Sequence, residues 1–168
     1  MTERAGSHAP RSYREALDAW PGAVTLLTVT DGRDDIGTTV SAFCPVSLDP
    51  PLVLVSLTAS SYPAEVLGRL GLFAVTLLAA GQRMLAGRFA AAGRPGARLL
   101  LAGVPHQRGS RSGALIPDDG LAAFECEVSS RIPAGDHLLL LATVLAVPYL
   151  AESGDPLIRF RGGYLRQT

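Results

Sequence analysis

What most restricts this chain is the rhythm of its apolar segments. Residues 23–30, 36–43, 52–57, 72–78, 121–132 and 137–147 are short runs rich in Val, Leu, Ile, Ala and Thr, each bounded by a turn signal. Aliphatic and β-branched runs between Gly, Pro and Asp positions favour strands. Asp31 and Gly32 read as the turn of a hairpin, Pro50 and Pro51 end its second arm, and residues 133–136 join the last two long runs. Helical signals are few. Ser12 and Glu15 have capping-box spacing before a short helix to Trp20; Ser60, Ser61 and Pro63 open a second, closed by Gly71; residues 82–92 suggest a third. A doubly wound parallel sheet would need a helix between most strand pairs and a Gly-rich strand-to-helix turn, and neither GxGxxG nor a Walker sequence occurs. The expectation is a mainly β domain, six or more antiparallel strands with a few short helices, closed as a barrel or sandwich. Within it, residues 52–57 are expected to be buried on both faces, and the Gly-, Arg- and Pro-rich stretch 93–120 to run as an extended surface loop.

A length of 168 residues suits one domain, here 12–168 after a polar leader over 1–11. All fifteen basic residues are Arg and they balance fifteen acids, so no field attracts a polyanion, which argues against nucleic acid. The longest apolar stretches, 70–80 and 138–147, fall short of the roughly 20 residues that span a bilayer, and the N-terminus lacks the apolar core of a signal peptide. A cytoplasmic protein without membrane contact is expected. Cys44 and Cys126, in separate apolar segments, read as buried free thiols.

The usual catalytic constellations are missing. His8, His106 and His137 lie in unrelated segments with no metal-ligand spacing, so no metal site is expected, and no GxSxG elbow occurs. Glu125 and Glu127 alternate with Phe124, Cys126 and Val128 and read as the wet face of a strand. Three places remain. Residues 37–43, with Thr38, Thr39 and Ser41, run into a Pro-rich turn; the spacing alone favours an edge strand with solvent-facing hydroxyls. Ser56 to Ser61 carry a strand into a helix start, where free N–H groups suit either simple capping or a phosphate. Gly135, Asp136 and His137 form the mouth of a hairpin, where a lone His is ordinarily an exposed polar residue.

In this order the segments resemble the flavin reductase-like, FMN-binding split-barrel family. The resemblance rests on residues 13–28, on Thr39, Val40, Ser41, Ala42 and Phe43, and on residues 46–54. It continues through Phe73, Ala74 and Val75; Arg88, Phe89 and Ala90; Ala102, Gly103, Val104 and Pro105; Ala134, Gly135, Asp136 and His137; and Phe160, Arg161, Gly162 and Tyr164. It implies a homodimeric split β-barrel with FMN, or FAD in some members, at the dimer interface. It also implies reduction of that flavin by NADH or NADPH, often on behalf of a partner monooxygenase. By the same resemblance Thr39, Val40, Ser41 and Ala42 would line the isoalloxazine, and Ser56 and Leu57 would flank the ribityl chain. Ser60 and Ser61 would take the phosphate, with Arg88, Phe89 and Ala90 closing the other side. His137 would stand near the nicotinamide as the catalytic residue, and Tyr164 would lie by the flavin. The missing acids and bases then make sense, because hydride transfer between two cofactors leaves the protein to orient and to tune.

The chain departs from the family pattern at several points. Tyr62 and Pro63 stand where many relatives carry a basic residue, Thr76 where Asn is frequent, and residues 93–101 diverge, as does the turn at Asp34 and Asp35. Arg94, Arg98, Arg108 and Arg111 offer a 2′-phosphate site, although loop arginines are ordinarily just solvated. Two other readings are compatible with these departures: an FMN-retaining oxidoreductase acting on another small molecule, and a non-redox split barrel that has lost flavin.

Overall fold

The computed structural model describes residues 9–165, with side chains from residue 13 onward. Helix α1, Ala9–Asp18, leads into strands β1, Gly22–Ala23, β2, Thr25–Thr30, β3, Asp35–Val40, β4, Phe43–Leu48, and β5, Pro51–Thr58. Helix α2, Tyr62–Leu70, precedes β6, Leu72–Leu77, and helices α3, Arg83–Ala90, and α4, Ala97–Leu100. A small hairpin of β7, His106–Arg108, and β8, Leu115–Pro117, is followed by the long pair β9, Ala122–Ala134, and β10, His137–Leu150. Two short strands, β11, Ile158–Phe160, and β12, Gly163–Tyr164, end the fold.

Seven strands form one antiparallel sheet in the order β3-β2-β6-β9-β10-β5-β4. The outermost two are consecutive in the chain, joined only by Ser41 and Ala42. Laid flat, seven strands would separate their edges by roughly 29 Å, at about 4.8 Å per neighbour. The three peptide steps from Val40 to Phe43 reach no further than about 11 Å. The sheet therefore rolls up to bring its edges together, and the Ser56 amide, donating to the Ala42 carbonyl at 3.0 Å, extends the β4–β5 pairing into that two-residue link.

Inside the roll lies an apolar core of Leu27, Val29, Val40, Val53, Val55, Leu57, Phe73, Val75 and Leu140, plugged at one end by Ala64, Val66 and Leu67 of α2. That helix is capped by the Ser61 hydroxyl accepting from the Ala64 amide, and it stops at Gly71 in the left-handed conformation (φ 78°). A second cluster lies outside, where Leu85, Ala86 and Phe89 of α3 and Ala97 and Leu101 pack against Val24 and Leu26.

Expectation and structure differ at six places. Helix α1 begins at Ala9, so Ser12 falls inside it, while residues 1–8 of the expected leader lie outside the described residues. Residues 43–48 form a strand: Cys44 and Ser47 pair with Leu54 and Leu52 despite Pro45, because β4 is an edge and a bulge absorbs the missing donor. On that edge Cys44 is exposed; Cys126 alone is buried, its thiol pushed up to about 12 by burial and by the neighbouring Glu125. Strand β5 buries only alternate residues. Glu125 is buried, because the 109–113 turn folds over it: it accepts from the Arg111 and Ser112 amides at 2.8 and 2.7 Å and from the Ser112 hydroxyl at 2.8 Å.

The stretch 93–120 is the sixth difference. It contributes α4, β7 and β8 and buries Ala97, Leu101, Ala114, Leu115 and Ile116. Its arginines help to fasten it. Buried Asp35 accepts from Arg98 at 2.8 and 3.1 Å and from Arg108 at 2.9 and 3.1 Å. Burial alone would raise the Asp35 carboxyl, but the hydrogen bonds from Arg108 and Arg98 outweigh it and hold the group below its ordinary 3.8.

A carboxyl whose folded value is depressed contributes stability above its unfolded value, and that contribution is lost as pH falls through the folded one. Unfolding free energy is therefore expected to drop as pH falls below 3.8. The Asp35→Asn variant should lose about 2 kcal/mol at neutral pH, the scale of charged hydrogen bonds, and should flatten the acid limb. Urea titrations at several pH values check both, and a variant as stable as the parent at pH 7 would contradict the anchor.

Candidate functional site

A cavity of about 650 Å³ opens along the seam where the rolled sheet meets itself. That lies within the roughly 300 to 1,000 Å³ of small-molecule sites. One bank is the end of β3 with its two-residue connection: Thr38, Thr39, Val40, Ser41 and Ala42. The other is the end of β5, Ser56, Leu57 and Thr58, leading to Ser61 at the cap of α2. His137, the first residue of β10, stands beside Thr58 in register, and Ala90 ends α3. Val24, Arg159, Gly162, Gly163 and Tyr164 bring in the C-terminal strands, where Arg159 pairs with Gly22 and Tyr164.

The seam keeps polar backbone within reach because pairing stops there. Strand β3 is an edge, so one side of its backbone is not consumed by the sheet. Its conformation is held from behind: the Thr25 hydroxyl donates to the Val40 carbonyl at 2.7 Å, and the Phe89 ring lies against the α-carbon of Gly37, where any side chain would collide with it. Tyr164 is covered by the Arg83 guanidinium, 5.5 Å from its ring centre. His137 Nδ1 lies 2.7 Å from an Asp136 carboxylate oxygen, and this contact holds the Asp136 carboxyl below its usual range. Facing the Asp136 carboxylate, the His137 Nδ1–H is the donor of this contact, which fixes the orientation of the ring.

Ten of the thirteen site residues expected from the sequence come together here: Thr39, Val40, Ser41, Ala42, Ser56, Leu57, Ser61, Ala90, His137 and Tyr164. Three do not. Phe89 is fully buried on the face of α3 that packs on β2 and β3, so its ring belongs to the core. Arg88 is exposed on the last turn of α3, and Ser60 is exposed in the turn before the cap. The sequence reading missed Val24, Thr38, Thr58, Arg159, Gly162 and Gly163. Thr38 and Thr58 were legible as neighbours of residues already singled out; Arg159 was not, because only the pairing of β11 with β1 brings it to the cavity.

The lining carries hydroxyls, peptide edges, one imidazole, one phenol and one guanidinium, but no carboxylate and no thiol. Such a set can donate to carbonyl, ring-nitrogen and phosphate acceptors and can flank a flat ring, yet it holds no nucleophile–base pair. Among the described residues, no cluster of three His, Cys, Asp or Glu has a metal-binding arrangement.

Residues 17–167 match the model of the flavin reductase-like domain. The chain is 37% identical over 155 residues, 90% of its length and 82% of the relative's, to the NADH-dependent FMN reductase AsuE2 of Streptomyces nodosus subsp. asukaensis. It is 34% identical to the 4-hydroxyphenylacetate 3-monooxygenase reductase component of Thermus thermophilus, across 92% of this chain and 95% of that one. The fold superposes with a TM-score of 0.86 and 31% identity on BorF, the flavin reductase component of a bacterial two-component tryptophan halogenase, covering 93% and 96% of the two chains. With the NADH:FAD oxidoreductase SgcE6 of Streptomyces globisporus the TM-score is 0.87, at 28% identity and 99% and 98% coverage.

The two serines of the 60–61 pair have separable roles. Ser61→Ala removes the cap of α2 and should cost about 1 kcal/mol of stability, whereas Ser60→Ala should leave it unchanged. Paired denaturation curves check this, and equal effects from the two would contradict the assignment of the cap to Ser61 alone.

Proposed function

The chain belongs to the flavin reductase-like domain family, and on that premise we propose that it transfers hydride from NADH or NADPH to FMN or FAD and passes the reduced flavin to a partner monooxygenase. The observation that carries this reading is the composition of the seam cavity, which is equipped to hold and orient flat, polar cofactors and has neither a carboxylate nor a thiol among its lining residues. When bound, flavin and nicotinamide supply the hydride chemistry themselves.

The chain's residues supply position and electrostatics. The bank Thr39, Val40, Ser41 and Ala42 presents hydroxyls and unpaired peptide edges to the flavin ring, with Tyr164 beside it. Ser56 and Leu57 flank the sugar-like chain, and the Ser61 hydroxyl, which accepts from an amide of α2, still has its proton to donate to a phosphate. Arg159 is the one guanidinium lining the cavity among the described residues. His137, oriented by Asp136, stands at the Thr58 end and orders the nicotinamide.

The same reading includes a homodimer and a cytoplasmic location; no helix among the described residues is long and apolar enough to cross a membrane. In support of the dimer, the outer face of β5 and β10 presents half-buried Leu52, Leu54, Leu139 and Leu141, bordered by Ile132 at 46% exposure. Such a contiguous apolar face suits a subunit contact.

Two measurements test these statements. NADH consumption in air should scale with added FMN or FAD, and His137→Ala should slow it by up to about a hundredfold, the loss that misplacement of a reactant can cause, while changing flavin affinity less than twofold. Turnover independent of added flavin would instead mark a protein that keeps its cofactor, and no flavin binding at all would refute the reading. Sedimentation equilibrium should give twice the 17.5 kDa chain mass, and a monomer at micromolar concentration would remove the dimer.

A further inference from the structure

A second hollow of about 210 Å³ opens between Tyr62 and Pro63 of α2, Gly37 of β3 and the segment 93–96. It adjoins the main cavity along three segments, with no lining residue in common: the chain passes from one lining to the other between Gly37 and Thr38, between Ser61 and Tyr62, and between Ala90 and Gly93. Whole small-molecule sites begin near about 300 Å³. This one is too small for an independent ligand of that kind, and suits one ring system of a ligand already held next door.

Its chemistry is specific. The half-buried Arg94 guanidinium donates from Nε to the Gly37 carbonyl at 2.8 Å and from Nη1 to the Ala91 carbonyl at 3.3 Å. Both acceptors are neutral, and among the described residues no carboxylate forms an ion pair with it. Burial pushes the Arg94 pKa down with no opposing anion. A guanidinium held in place, with Nη2 left over and its charge uncompensated, is prepared for a phosphate. Across the hollow the Tyr62 residue is 52% exposed and its side chain makes no hydrogen bond among the described residues, with Pro63 and Pro95 extending an apolar surface beside it. Aromatic rings of this kind are stacking platforms for bases.

We propose that this hollow is the subsite for the adenosine-phosphate end of a dinucleotide whose reactive ring lies in the main cavity, with Tyr62 against the base and Arg94 on a phosphate. The inference rests on the flavin reductase reading and refines it. FAD and the nicotinamide cofactor both carry this moiety, and FMN does not. If FAD is the occupant, the protein prefers FAD to FMN.

Titration of the purified protein with FMN and with FAD, together with the KM for NADH measured with FMN as acceptor, tests the subsite in the parent, Tyr62→Ala and Arg94→Gln forms. Tyr62→Ala, at an exposed residue whose side chain makes no hydrogen bond among the described residues, guards against a folding defect in Arg94→Gln. Each variant should weaken FAD about tenfold, the scale on which a stacked base responds to loss of its platform, while FMN affinity stays within twofold and ADP competes with FAD. A tenfold rise in the KM for NADH, with the FAD-to-FMN ratio unchanged, would assign the same subsite to the nicotinamide cofactor. If FMN is still bound and reduced but neither FAD nor NADH responds, or if FMN weakens as much as FAD, the subsite is overturned and the reductase reading stands. Failure of every form to bind any flavin would overturn that reading itself.

Discussion

The structure depends on one covalent constraint: the two edges of a seven-stranded sheet are joined by two residues. Rolling the sheet to satisfy that link creates the apolar interior, and it also creates a seam where strand pairing gives way to loops and helix starts. At the seam backbone groups are not all consumed by ladders, and the side chains of two strand ends face each other across a gap. A binding cavity there follows from the topology. The residues that line it need only be small and polar, as Thr39, Ser41, Ser56 and Ser61 are.

Holding the gap open at a fixed width requires supports on both banks. Behind β3, Phe89 packs on Gly37, while at the strand's start Asp35 is tied to Arg98 and Arg108. The segment after α3 is thus fastened to the strand that forms one wall of the site. On the other bank α2 is seated by Ala64, Val66 and Leu67 in the core, so Ser61 is fixed to within the precision of a helix cap. Ligand geometry and fold stability are therefore coupled through the same few contacts.

The fold was largely legible because its strands are strongly apolar and separated by plain turn signals, as at Asp31 and Gly32 or Gly135 and Asp136. What was not legible depended on contacts distant in sequence. The residues of 93–120 look like a solvated loop until Asp35 and Glu125, both read as polar surface or left unassigned, are seen to be the buried acceptors that order it. Strand β4 was hidden by Pro45, which an edge tolerates and a centre does not. In the site, the local motifs around Thr39 to Ala42 and Ser56 to Ser61 were visible as hydroxyl-rich breaks in apolar strands, but their meaning came from a family resemblance. Phe89 was assigned to the site through the resemblance, whereas its helical spacing with Leu85 and Ala86 fits the packed position its ring takes. Arg159 reached the cavity only through a strand pairing that local sequence does not encode.

Hydrogen exchange with and without FMN tests most directly whether the seam is the cofactor site. Amides of residues 38–42 and 56–61 are expected to slow several-fold together on addition of FMN, while the β7–β8 hairpin, which packs elsewhere on the sheet, exchanges as before. Protection confined to segments away from both banks of the seam, with 38–42 and 56–61 unchanged at saturating FMN, would contradict it.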